Sequence, residues 1–285
     1  MSLLLKDAPS LRAHITAVLN QKRGKDPVFP KGVARSNLTS AVLFLLATRC
    51  YNSPARNQPC VVLNKRSMRV RQPGDLCFPG GRIDPRLDAC LAKGLKLPFS
   101  PLVRWPYWGE WRRERRQQAR RLSLLLATSL RESLEEMRLN PWGVTFLGPM
   151  PPQELRMFQR VLYPMVVWIT RQSRFFPNWE VEKIVYIPLQ NLVNPEYYGC
   201  YRLHFQASDE GRSPGFTEDF PCFCHENEQG RDVLWGVTYR IVTAFLEMVF
   251  GFCPPDVASR PVIYGALDQQ YLTGTPRGGS LTANS

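Results

Sequence analysis

Apolar and polar residues change their spacing several times along the chain, and those changes divide it into elements. Leu4 to Gln21, LLKDAPSLRAHITAVLNQ, reads as a helical start, followed by a connection rich in Lys, Arg, Pro and Gly. Ser36 to Ala47, SNLTSAVLFLLA, is apolar on nearly all sides, which predicts a buried segment, strand or helix. Pro54 to Pro59 break the chain, and Cys60 to Leu63 is a short β-branched strand. In LCFPGGRIDP, Pro79, Gly80 and Gly81 fall at an expected turn after an apolar strand end. From about Ser123 the stretch SLLLATSLRESLEEMRL is made of helix formers, with Ser123 as the expected N-cap and Pro141 as the stop. The runs VTFLGPM (144–150), VLYPMVVWIT (161–170) and VEKIVYIPL (181–189) predict strands of a sheet. Trp235 to Phe252 predicts an amphipathic helix of about five turns. Beyond Pro254 the composition drifts to Gly, Ser, Thr and Pro, and disorder is expected from about Asp268.

The chain has 285 residues and is 44% hydrophobic, enough for one domain with additions. The longest apolar run, Val161 to Ile169, is interrupted by Tyr163 and Pro164, and nothing approaches the ~20 residues of a membrane span. MSLLLKDAPSLRAH lacks a basic start and a cleavage-like segment, so no secretory signal is expected. The eight cysteines (50, 60, 77, 90, 200, 222, 224, 253) have no repeating spacing, which points to reduced thiols and a cytoplasmic setting. Cys222, Cys224 and His225 lie together in PCFCHE, but no fourth ligand stands at a zinc-like distance. Two thiols near the surface is the favoured alternative.

The net charge of +13 favours anionic partners. Seven arginines and two glutamates between Arg104 and Arg121 put +5 in one short segment. WGEWRRERRQQARR predicts an extra helix of roughly four turns. Trp105, Trp108 and Trp111 among these arginines raise the possibility of nucleic-acid stacking. A solvated basic helix whose aromatic side covers the domain is the favoured alternative.

The chemistry is carried by Arg131-Glu132-Ser133-Leu134-Glu135-Glu136. Glutamates at i, i+3 and i+4 share one helix face. Like charges so placed repel by a few tenths of a kcal/mol per pair, and oxygen ligands in that arrangement suit a hard divalent cation. Alone, such a stretch is more often an ordinary acidic face balanced by Arg131 and Arg138. Upstream, the Gly80–Gly81 pair would let backbone approach a phosphate that a Cβ would obstruct.

Together, FPGG and RExxEE resemble the Nudix hydrolase motif, G-x5-E-x7-R-E-U-x-E-E-x-G-U with U aliphatic. Leu63, Arg66, Ser67 and Arg71, followed by Gly74-Asp-Leu-Cys-Phe-Pro-Gly-Gly81, resemble the signature of its coenzyme A diphosphatase branch, one residue short between Arg66 and Gly74. VTFLGPMPP, LYPMVVWI, VEKIVYIPL and WGVTYRI resemble the same branch in order, so the likeness runs from about Cys60 to Phe250. It implies an α/β/α sandwich with a mixed sheet. The expected division is an N-terminal extension (1–58), the hydrolase domain (59–253) with an insertion at 86–122, and a C-terminal extension (254–285). It implies that Glu132, Glu135 and Glu136 ligate Mg²⁺ or Mn²⁺, and that Arg131 pairs with a neighbouring carboxylate. Gly80 and Gly81 would lie beside the metal and the diphosphate, and Arg66 and Arg71 are candidates for the substrate's phosphates, whose geometry the guanidinium fork matches.

The chain departs from that pattern in three places. The motif has 13 residues between its glycine and the Arg of RE, whereas 49 separate Gly81 from Arg131. The isolated motif glutamate therefore stays open: Asp84 and Asp88 lie near the right distance from the glycines, while counting back from Arg131 reaches Ser123. Arg138 stands two residues after Glu136, where the motif has glycine, and Ser133 replaces a usual aliphatic or small residue. The leading expectation is hydrolysis of coenzyme A, or an acyl derivative, to 3′-phosphoadenosine 5′-phosphate and phosphopantetheine. The alternatives are another nucleoside diphosphate derivative or an RNA cap as substrate, and a domain that has lost catalysis and binds nucleotide or RNA. The sequence carries no signal for an oligomeric state.

Overall fold

The computed structural model describes residues 4–21, 28–33, 38–50, 57–155, 160–205, 216–227, 230–257, 260–267 and 271. The strands are β1 (Thr39–Cys50), β2 (Asn57–Arg66), β3 (Leu76–Cys77), β4 (Gly80–Arg82), β5 (Val144–Pro149), β6 (Gln153–Leu155), β7 (Arg160–Ile169), β8 (Val181–Pro188), β9 (Tyr198–Phe205), β10 (Phe216–Asn227), β11 (Gly230–Leu234) and β12 (Val262–Leu267). The helices are α1 (Ala8–Gln21), α2 (Leu87–Gly94), α3 (Trp108–Glu114), α4 (Arg116–Met137), the single turn α5 (Leu189–Leu192) and α6 (Gly236–Phe250).

β1 is apolar on all sides because both of its faces are covered. Val42, Phe44 and Leu46 face a core formed with Leu11, Ile15 and Leu19 of α1 and Ile241, Phe245 and Leu246 of α6. Ala41, Leu43 and Leu45 face the opposite core, formed with Leu122, Leu125 and Leu126 of α4 and Trp105, Trp108 and Trp111. β7 divides in the same way, with Val166 and Trp168 on one side and Met165 and Val167 on the other. Two buried faces produce an unbroken apolar strand in place of alternation.

The sheet is mixed. β1 runs parallel to β7 and antiparallel to β2 and β4, while β8 extends it beyond β2 and β5 beyond β7. Helices lie on both faces, so the fold is an α/β sandwich. Residues 39–50, expected within an N-terminal extension, supply β1, which pairs with β2, β4 and β7 of this sheet. A second sheet, β11-β10-β9-β12, adds Tyr198, Phe223 and Leu234 to the core beneath α6. No helix among the described residues is long and apolar enough to cross a membrane. The expected disorder from residue 268 lies outside the described residues except at Tyr271, which is buried.

Three local readings of the sequence are corrected. Gly80 and Gly81 are in strand β4, paired with Val42 and Ala41, and not in a turn. Ser123 is not an N-cap: it sits inside α4, where its hydroxyl donates to Ala119 O at 2.8 Å and Arg120 O at 3.1 Å. The basic run is split, since α3 ends at Glu114 and Arg116 already opens α4. Gln, Ala and Arg are good helix formers, and Ala119 and Leu122 are buried, so the helix extends back across the basic segment.

Arg138 closes α4 in the left-handed region at φ 57°, with its N–H bonded to Leu134 O at 3.1 Å and Leu139 N to Ser133 O at 3.2 Å. This is the cap that glycine usually makes, so arginine fills the motif's glycine position at a conformational cost. Arg138→Gly is expected to stabilise the protein by about 1 kcal/mol, raising Tm by roughly 2 °C. Thermal unfolding checks this, and an unchanged or lowered Tm counts against it.

Candidate active site

Strand β4 and helix α4 bring the glycines against the glutamates. A Cβ on Gly80 would run into Ala41 O and Val42, and one on Gly81 would run into the Glu132 carboxylate. Packing on β1 backbone thus requires glycine at 80, whereas a side chain at 81 would displace the Glu132 carboxylate. Gly80 N donates to Glu136 Oε1 at 3.3 Å, and Asn64 Nδ2, from β2, donates to Glu136 Oε2 at 2.7 Å. Burial pushes the Glu136 carboxyl up to about 7, against the pull of those two donors. Burial also raises Glu132, with Arg131 opposing it.

Arg131 organises the rest. Its Nε donates to Asp88 Oδ1 at 2.7 Å, Nη1 lies 3.0 Å from Glu132 Oε1 and 3.3 Å from Glu135 Oε1, and Nη2 donates to Arg82 O at 3.1 Å. Asp88 has no exposed side-chain surface and also accepts from Thr128 Oγ1 at 2.7 Å and Asp84 N at 2.8 Å. Of the two aspartates left open by the sequence, Asp88 makes the arginine pair. Asp84 instead accepts from the N–H groups of Arg86 and Leu87, both at 2.9 Å, and starts α2. Distance from the glycines points to both aspartates, and nothing local marks Asp88 as the partner of Arg131, 43 positions away.

Arg66 and Arg71 line a cavity of about 200 Å³ together with Gly80, Gly81 and Arg160. Arg66 Nε donates to Arg71 O at 2.7 Å, and the Arg66 charge acts on Glu136, Asp75 and Cys77. Arg160, from β7, was not singled out by the sequence. Burial, together with the charges of Arg82 and Arg71, holds it below its ordinary value. Arg71 and Arg160 form no ion pair among the described residues. Unbalanced positive charge beside glycine backbone can hold an anion.

Other sequence candidates are not brought together. Cys222 and Cys224 share one face of β10, while strand alternation turns His225 to the opposite face, where Asp232 of β11 stands beside it. They cannot form a common Cys₂His site. Trp105, Trp108 and Trp111 are 2%, 4% and 3% exposed, so none offers a ring to a base. That removes the stacking half of the nucleic-acid reading of the insertion.

The donor chemistry fits a hard cation: Arg131 engages only Oε1 of Glu132 and Glu135, and Glu136 is held by two uncharged donors. Asn64, 1% exposed, has its Oδ1 without a hydrogen-bond partner beside Glu136. That orphaned oxygen is a further hard donor. As they stand, no three His, Cys, Asp or Glu side chains among the described residues converge tightly enough to hold a metal ion.

No family model and no curated protein matches this chain. Its fold is distantly similar to several solved structures. A Nudix hydrolase from M. smegmatis is 15% identical over 54% of this chain and 72% of its own, with a TM-score of 0.33. A NUDIX hydrolase from Nitrosomonas europaea is 12% identical over 81% and 79%, with a TM-score of 0.36. A MutT/nudix family protein from Enterococcus faecalis is 10% identical over 84% and 74%, with a TM-score of 0.38. At such identities and scores the likeness adds no weight to a functional reading, which rests on the site itself.

Proposed function

We propose that this protein is a metal-dependent hydrolase that cleaves the diphosphate link of a nucleotide-type substrate, with coenzyme A or an acyl-CoA as the substrate. The observation that carries this reading is the strand Gly80–Gly81, which borders the carboxylates of α4 and the arginine-lined cavity at once. The resemblance of the residues from Leu63 to Gly81 to the coenzyme A diphosphatase signature supports the choice of substrate.

Glu132, Glu135 and Glu136 would hold Mg²⁺ or Mn²⁺, which supplies charge neutralisation of the diphosphate and a lowered pKa for water. Arg66 and Arg71 bind phosphate oxygens, with Gly80 and Gly81 allowing the backbone to lie close. Arg131, fixed by Asp88, positions Glu132 and Glu135. Water adds across one P–O–P bond, so each product leaves with a phosphate and the proton passes to solvent through a neighbouring carboxylate. Two departures from the motif are accommodated: Arg138 makes the left-handed cap, and the long insertion carries Asp88 back to Arg131.

The test is incubation of the purified protein with coenzyme A and Mg²⁺ or Mn²⁺, resolving products by chromatography, with Glu135→Gln in parallel. Phosphopantetheine and 3′-phosphoadenosine 5′-phosphate are expected from the wild type and neither from the variant. No cleavage with either metal overturns the coenzyme A assignment, and other nucleoside diphosphates and capped RNA are screened next. Nucleotide affinity indifferent to metal, without turnover, would mark a binding module.

A further inference from the structure

A second cavity, of about 560 Å³, opens beside the first, and Arg66, Gln72, Cys77, Leu155, Val237 and Thr238 line both. The two cavities adjoin along those residues, and Gly80 and Gly81 line only the first. The far part is walled by Phe205, Phe216, Phe220, Trp235 and Tyr271, contributed by β9, β10, the start of α6 and the C-terminal segment. Its volume lies within the range of small-molecule sites.

Trp235 is held rigidly. Its Nε1 donates to Asp75 Oδ1 at 3.0 Å, and its ring meets the edges of Tyr201 and Phe220 at centroid distances of 5.5 and 5.4 Å. The other oxygen of the same carboxylate accepts from the Tyr271 hydroxyl, and Gln72 N donates to Tyr271 O at 2.8 Å. One half-buried aspartate therefore aims two aromatic rings at once. At the mouth, Phe205 and Phe216 stack at 4.4 Å and 10°, with Phe216 55% exposed. Glu218 and Thr238 put polar groups among the rings, which a bare acyl chain could not use but the edge of a heterocycle could.

We infer that this pocket is the subsite for the planar base of a nucleotide, with Trp235 as its stacking platform and Asp75 as the positioning residue behind it. The inference rests on the proposed diphosphate chemistry only for direction: a nucleotide whose phosphates lie at Arg66 and Gly80 extends its base toward Trp235. Stacking on a fixed aromatic ring is tolerant of base identity and contributes strongly to affinity.

The test is calorimetric titration with AMP and with ribose 5-phosphate, which lacks the base, in the presence of EDTA. The proteins are the wild type, Trp235→Ala, Trp235→Phe, Phe216→Ala and Asp75→Asn. The wild type is expected to bind AMP at least roughly tenfold more tightly than ribose 5-phosphate, and Trp235→Ala to lose about that factor. Trp235→Phe keeps a ring and retains part of the preference. Asp75→Asn weakens AMP without changing ribose 5-phosphate, a split that general loss of structure would not produce. Phe216 is exposed, so Phe216→Ala keeps the test open if Trp235→Ala fails to fold, and it too is expected to lower the AMP preference. Equal affinity of the wild type for the two ligands, undetectable AMP binding, or a ratio unmoved in the folded variants overturns the inference. Failure of coenzyme A hydrolysis with the AMP preference intact would sink the proposed function and leave the pocket standing; hydrolysis without base preference would do the reverse.

Discussion

Replacing Glu136 with glutamine is expected to give a protein that no longer turns over substrate yet unfolds at a higher temperature than the wild type. The loss of activity follows from removing one charge from the proposed metal-binding set. A cation that supplies several kcal/mol of charge stabilisation corresponds to roughly a thousandfold in rate or more. The gain in stability follows from burial. The Glu136 carboxyl is pushed up from the ordinary 4.5 to about 7. Because the folded-state value is raised, the native protein binds that proton more tightly than the unfolded chain. The corresponding stability is full below about pH 4.5 and is lost as pH rises through 7. Above pH 7 the native state carries an ionised, desolvated carboxylate, whereas glutamine stays neutral and can still accept from Gly80 N. The variant is expected to be more stable by about 1–3 kcal/mol at pH 8 in EDTA, with the difference shrinking toward pH 5. Urea unfolding at the two pH values, beside the coenzyme A assay, measures both halves. An active variant removes Glu136 from the metal set, and a variant destabilised at pH 8 contradicts the account of its burial. Such opposition between stability and function is usual where charge is held in a pocket.

Breaking the Arg131–Asp88 pair is expected to have the largest effect on stability. Arg131→Met leaves Asp88, with no exposed side-chain surface, as an uncompensated buried charge between Thr128 and Asp84. Losing one partner of such a pair costs about 3–5 kcal/mol. Arg131→Met/Asp88→Leu removes both charges and is expected to recover a substantial part, because the penalty lies mainly in the orphaned carboxylate. Urea unfolding of the two single variants and the double variant forms the cycle. A single-variant cost below about 1 kcal/mol would mean that water reaches Asp88 and that the pair is no stronger than a surface bridge.

The pair also shows how far local reading extends. Glu132, Glu135 and Glu136 fall on one face because the helix repeats every 3.6 residues, and that was legible from spacing alone. The strands of β5, β7 and β8 were legible for a similar reason, since β-branched and aromatic runs bounded by turns favour extended chain. The start of α4 was misplaced because Ser123 has the chemistry of an N-cap, while its hydroxyl in fact bonds back within the helix. Three tryptophans set among arginines look the same in sequence whether they face solvent or core. The pairing of α3 and α4 with the sheet decided for the core.

By itself, then, the sequence determined what acts over a few residues: the periods of helices and strands, the placement of three carboxylates on one helix face, and the glycine pair upstream. The tertiary structure alone decided which distant groups meet. Asp88 reaches Arg131 over 43 positions, Asn64 and Gly80 close on Glu136, and Arg160 joins Arg71. Asp75 holds Trp235 at a separation of 160 positions. The physical reason is one of range. Propensity and periodicity bias φ, ψ and the side-chain face within one or two turns, whereas these partnerships depend on the order in which strands join the sheet and on which face each helix covers.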